Sequence, residues 1–304
     1  MAEKKFKPRK TLRITAALML LGLMVYGAIQ LSRPALPVPL PNPNGYDDFV
    51  QAAQFAVGNG GDLSLSQGDL RELIVKNAEA LRLVRQGLTR SCRVRVDFTA
   101  ANFSPHMSDL AGMKRLVWLL VAEGRLAEMG HRTNDAIRIY LESIRFGQEA
   151  SRGGLVIDRL VGIACQATGV EPLKRIVHSL HTSECHEAMR TLEKIQGSEE
   201  SVEEIMHHEK EWSRRNRRLL DVIRYMIATR SFNPMQQTRA QLTAKMQLIQ
   251  PMLDRLMIDL AVRAYELEHG QPPTSVNELV PDYLNAIPVD PATGTKLTYL
   301  PQSK

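Results

Sequence analysis

The chain has 304 residues, 44% hydrophobic and 24% charged, which is the composition of a folded protein and excludes a disordered one. Its net charge of +6 does not mark a nucleic-acid-binding domain. Lys4, Lys5, Lys7, Arg9, Lys10 and Arg13 against Glu3 place +5 of that charge in the first 13 residues, and the remainder carries only +1.

Residues 1–13 therefore read as a basic cytoplasmic tail. From Ile14 to Leu31 the chain runs 18 residues without a charge. As a helix this is about 27 Å long, against a hydrocarbon core of about 30 Å. Together they predict a transmembrane helix at 14–31, in contact with membrane lipid. The cations before it predict a bacterial inner-membrane, single-pass placement with the N-terminus cytoplasmic and the rest periplasmic. A cleaved signal peptide is the alternative. Residues 32–44 hold five prolines between Pro34 and Pro43 and predict an extended Pro-rich stalk.

The expected fold class is mainly α: a helical domain at 45–270, followed by a small α+β tail at 271–304. A first helix opens at Asn44-Gly45 and carries Phe49, Ala52, Ala53 and Ala56 on one face; Asp47 and Asp48 fall in its first turn. Ser66 caps a longer helix through Gly87, with Leu70, Leu73, Ile74, Leu81 and Val84 at helical spacing. Cys92 to Phe98 alternates with period two and predicts a short strand. Leu116 to Met129 forms a helix, Gly130-His131-Arg132 turns the chain, and Thr133 or Asn134 caps the next.

Leu120, Gly124, Ala127, Ala136 and Tyr140 give residues 116–146 a small/large pattern that resembles a tetratricopeptide-type helical hairpin. No second copy occurs at a fixed period, so the resemblance implies one hairpin rather than an array.

After Gly153-Gly154, small residues Gly162, Ala164, Ala167 and Gly169 alternate with large aliphatics, predicting a central buried helix that Pro172 ends or kinks. Ser198 is expected to cap the following acidic-to-basic helix, with Glu199 and Glu200 in its first turn and the arginines through Arg224 late. A last helix runs from about Ala240 to His269, with Pro251 as its candidate kink site. A capping box at Ser275 and Glu278 then opens a short helix, and Leu297 and Tyr299 fall in a terminal strand.

In this C-terminal stretch Ala264-Tyr265, Gly270, Pro272-Pro273, Pro281, Tyr283-Leu284 and Ile287 to Gly294 resemble the segment after the long helix of type II secretion pseudopilins. Lys10 to Arg13 lacks the glycine cleavage site of that family, so the resemblance implies only the tail's fold. This module and Gly153 to Leu173 also resemble an uncharacterised family of single-pass bacterial envelope proteins.

His178, His181, Cys185 and His186 are the candidate metal ligands, since zinc accepts His and Cys tetrahedrally. His178 and His181 also suit a helix C-terminus, and the junction at Thr182 turns Cys185 away from them. No metal or cofactor is therefore expected. His207-His208-Glu209 lacks the order of a zinc protease motif. The cysteine set, Cys92, Cys165 and Cys185, is too sparse for a disulfide framework, with a Cys92–Cys185 bridge left open. The function expected is a non-catalytic envelope scaffold or protein-interaction module with protein partners. An accessory part of a secretion or pilus-like assembly, or an enzyme of unrecognised type, are the alternatives.

Overall fold

The computed structural model describes residues 39–97, 103–216, 234–289 and 293–298, with Met19, Gly22, Tyr26 and Gly27. The basic tail, most of the 14–31 segment, the start of the Pro-rich stalk, Arg217 to Arg224, Asp290 and Tyr299 lie outside the described residues. Residues 39–209 with 234–304 form one compact unit, and 1–38 with 210–233 form another.

The fold is mainly helical, with nine α-helices among the described residues. The first, α1 (Gly45–Phe55), starts where the Asn44 side chain accepts from the Tyr46 amide at 3.3 Å. It buries Tyr46, Phe49, Ala52 and Ala53. The single helix expected from Ser66 to Gly87 is instead two, α2 (Gln67–Lys76) and α3 (Ala78–Leu88). Asn77 is the physical reason. It is 1% exposed, and its side chain bonds the Val57 amide at 2.8 Å, the Val57 carbonyl at 3.0 Å and the Leu73 carbonyl at 2.8 Å. A side chain that clamps a distant loop and its own helix's backbone breaks the run.

The strand expected at Cys92 to Phe98 is not seen: its described residues, through Asp97, have no regular secondary structure and pair with no strand. Val94 donates instead to the Arg152 carbonyl at 2.9 Å, and Arg93 is held on both backbone groups by Asn44 at 2.9 Å each.

Helix α4 (Phe103–Met129) begins well before the expected Leu116, and α5 (Thr133–Glu149) returns along it. The central helix α6 (Val156–Ile176) buries Val161, Ile163, Cys165, Val170 and Leu173, and continues past Pro172 to Ile176. Its small residues let α5 come close: a Cβ on Gly162 would lie 2.5 Å from the Gly147 carbonyl oxygen, and one on Gly169 would lie 2.2 Å from Ser143 Oγ. A short 3-10 turn leads into α7 (Thr182–Gly197).

Helix α8 (Val202–Asn216) starts later than expected. Ser201, not Ser198, accepts from the Glu204 amide, while Glu204 bonds back to the Ser201 amide at 2.8 Å. Helix α9 (Pro234–His269) begins before the expected Ala240 and runs through Pro251 as helix. The α+β tail is corrected too. Among the described residues it holds a 3-10 helix at Val276–Leu279 and a lone Val289–Lys296 bridge, with no strand. Glu278 bonds Thr274 rather than capping from Ser275. Leu279, Tyr283 and Leu284 join the main core cluster with α9 and α7 residues, so the tail packs as part of the helical core.

The expected inner-membrane, single-pass placement is overturned: among the described residues no helix is long and apolar enough to cross a membrane. The longest, α9, shows why. It carries Arg239, Lys245, Asp254, Arg255, Asp259 and Arg263 along its length. The stretch 14–31 that carried the expectation is described only at Met19, Gly22, Tyr26 and Gly27.

Candidate functional site

Three helix beginnings meet at one buried polar cluster. Asp158 sits in the first turn of α6, where its Oδ2 accepts from the Leu155 amide at 2.7 Å, satisfying one of the helix's free N–H groups. Its Oδ1 lies 2.9 Å from His106 Nε2, in the first turns of α4. Both side chains are enclosed, at 0% and 4% exposure. Tyr46, in the first turn of α1, is 2% exposed and its hydroxyl has no hydrogen-bond partner. Burial first, then the carboxylates of Asp158, Asp109 and Asp47, push its pKa well above that of an ordinary tyrosine. The phenol is therefore neutral near pH 7.

A cleft of about 260 Å³ lies against this cluster, lined by Tyr46, Val50, Arg95, Asp97, His106 and Asp109 among others. Asp109 follows His106 by one helical turn, so both face the same side of α4. Burial pushes the Asp109 carboxyl up, and neighbouring His106 opposes that shift. Asp47 also lines the cleft, but Arg95 engages it through two bonds of 2.6 and 2.5 Å.

Behind the cluster, further acids serve the start of α6. Glu200 accepts from the Gly153 amide with both oxygens, at 3.0 and 2.9 Å, and Glu209 accepts from the Val156 amide at 3.1 Å. Burial is the largest influence on Glu209 and raises its pKa; the Val156 bond opposes this and Asp158 adds to it. Arg159 is 2% exposed and pairs with Glu199. Burial pulls its guanidinium down to about 10, so it remains charged at neutral pH. Glu199 and Glu200 thus lie before α8, not in its first turn; Glu199 reaches back to α6 and Glu200 to the turn that precedes it.

A second feature is a groove of about 460 Å³ between α5 and α7. Ile137 and Leu141 lie at its base; Arg138, Arg145, Ser183 and Glu187 are exposed along it.

The candidate metal ligands do not converge. His178 and His181 are exposed, Cys185 is buried, and His186 bonds Glu268 at 3.0 Å while stacking on Tyr283. Among the described residues no group of three or more His, Cys, Asp or Glu could hold a metal ion. The three cysteines are free and buried, so no Cys92–Cys185 bridge is present.

Sequence reasoning did not single out Tyr46, His106 or Asp158 as a site. The visible signal was Asp158-Arg159 inside an otherwise apolar helix, where a buried charge demands partners. Comparison with family models, with curated proteins and with solved structures returned no match to this chain.

Proposed function

We propose that this protein is a protein-interaction module that takes an extended peptide segment of mixed charge in the groove between α5 and α7. The observation that carries the reading is the groove itself, an open channel beside a helix whose other side is locked to its neighbours. The chemistry of the groove fits such an occupant. Ile137 and Leu141 offer apolar contact at the base, and Arg138, Arg145 and Glu187 offer charges of both signs at the edges. A helix of 17 residues is about 25 Å long and can lie against roughly seven extended residues. The α5 wall is braced from behind, because α5 meets α6 backbone to backbone at Gly147 and Gly162. Binding there incurs little ordering cost on that wall of the receptor.

Site-directed photo-crosslinking tests this. A crosslinker at Arg138 or Thr191 in the full chain should capture one recurrent polypeptide, and the same probe at Glu72 on α2 should not. The captured segment, made as a peptide, should bind purified protein and lose about tenfold affinity in Arg138→Glu. Equal capture at all three positions, or a peptide indifferent to Arg138→Glu, rejects the reading.

A further inference from the structure

The sequence contains two Asn-Gly steps, Asn44-Gly45 and Asn59-Gly60. In such a step the backbone nitrogen of the glycine can attack the side-chain amide before it, because no Cβ crowds that nitrogen. The attack is intramolecular, so the held geometry of the two groups governs its rate. The fold treats the two steps in opposite ways.

Asn44 is closed to the reaction. It is buried, its side-chain nitrogen donates to the Arg93 carbonyl at 2.9 Å, and its oxygen accepts from the Tyr46 and Arg93 amides. The attacking group is committed as well, since the Gly45 amide donates to the Ser91 carbonyl at 3.0 Å. Cyclisation there would first have to break the bonds to Ser91 and Arg93.

Asn59 is exposed, in the loop between α1 and α2 and apart from the α5–α7 groove. Neither its side-chain nitrogen nor the Gly60 amide is tied to another group among the described residues. Its side-chain oxygen accepts from the Gly61 amide at 3.1 Å. That donor sits on the atom where negative charge develops when a nitrogen adds to Cγ. Nor can the glycine be exchanged, because a Cβ on Gly60 would lie 2.4 Å from the Trp118 carbonyl oxygen of α4. Packing against α4 therefore keeps a glycine after Asn59.

We propose that Asn59 is a site of spontaneous deamidation, and that its isoaspartate product loosens the loop from Trp118. The Gly60 nitrogen bonds to Asn59 Cγ, and the bond from Cγ to Nδ2 breaks. The proton lost by Gly60 ends on the departing nitrogen, which leaves as ammonia. Water then opens the five-membered imide at either carbonyl, giving aspartate or isoaspartate at position 59. In the isoaspartate form the side-chain methylene joins the main chain, which gains one carbon just before Gly60. The loop has little room for it. A Cβ on Gly61 would already lie 3.1 Å from Trp118 Cδ2, and Arg125 holds the Asp62 and Leu63 carbonyls at 2.8 and 2.9 Å. A contact packed this closely must shift to admit an extra carbon.

Incubating the full chain at mildly alkaline pH tests this, with peptide mass spectrometry and enzymatic isoaspartate labelling as readouts. In native protein Asn59 should convert about tenfold or more faster than Asn44. Unfolding in urea should bring the two rates together, chiefly by accelerating Asn44. Amide hydrogen exchange over residues 57–66 should rise in aged wild type and stay unchanged in aged Asn59→Gln, whose cyclisation needs a larger ring. Equal conversion of Asn44 and Asn59 in the native chain overturns the assignment of the site. Equal exchange in aged and fresh wild type, or an equal rise in aged Asn59→Gln, overturns the loosening.

Discussion

Gly124 on α4 faces the ring of Tyr140 on α5 so closely that a Cβ there would lie 2.2 Å from Tyr140 Cε1. The tyrosine is fully buried, and its hydroxyl donates to Glu128 at 2.5 Å, so the ring is fixed at both ends. Gly124→Ala must therefore displace a held ring, at a cost of roughly 1–3 kcal/mol as for other overpacked cores. Urea unfolding of the variant measures it. A midpoint equal to wild type would show that the helix pair yields freely at this contact.

His106 and Asp158 should behave as a unit. Removing the imidazole strips an enclosed carboxylate of the polar group 2.9 Å away, and leaving a buried polar group without its neighbour costs about 1–3 kcal/mol. His106→Ala should be destabilising, and Asp158→Asn less so, since the amide oxygen can still accept from Leu155. A double-mutant cycle should return a coupling of about 1 kcal/mol or more. Additive effects would mean that the pair contributes nothing as a pair.

Glu209 gives the folded state a pH signature. Its carboxyl is raised in the native protein, chiefly by burial, so the native state favours the protonated form. The stability this contributes is present below the unfolded-state value of about 4.3 and is lost as pH rises through the higher native value. Glu209→Gln lacks this titration and keeps an acceptor for the Val156 amide. The variant should accordingly gain on wild type as pH rises from acid to neutral. Parallel stability curves for the two proteins across that range would refute the assignment.

The thiols make a simpler test. Burial pushes Cys92 and Cys165 up to about 12 and Cys185 up to about 11, and all three are free. Reaction requires the thiolate, so native protein should react slowly with a thiol reagent at mildly alkaline pH. Unfolded without reductant, it should titrate all three cysteines. Only one thiol in that second assay would reveal a disulfide that the fold described above does not contain.

Much of the helical framework was legible because its signals are local. Gly162 and Gly169 among large aliphatics marked α6 as the central helix, and the small/large pattern of Gly124, Ala136 and Tyr140 marked α4 and α5 as a helical pair. The failures came where a distant segment decides. Asn77 interrupts a periodic apolar run only because the Val57 backbone arrives to be bonded. Ser104, Pro105 and Gly112 hid the first half of α4; Gly112 suits its place because a Cβ there would lie 2.5 Å from that of Ala53. The alternation at Cys92 to Phe98 promised a strand, but the partners that reached it were a helix cap and a helix end. The cleft was invisible for the same reason, since Tyr46, His106 and Asp158 belong to three helices far apart in the chain.

Asn44 ties two events of folding into one. Its side-chain oxygen accepts from Tyr46 at the start of α1 and from Arg93, while its amide donates to the Arg93 carbonyl. The cap that starts the first helix is therefore in its final geometry only once a segment 49 positions away has come home. Closing a loop of that length carries an entropic cost before any reward arrives. The start of α1 should accordingly be secured late, together with the docking of the Cys92 to Asp97 segment, rather than as an independent early nucleus.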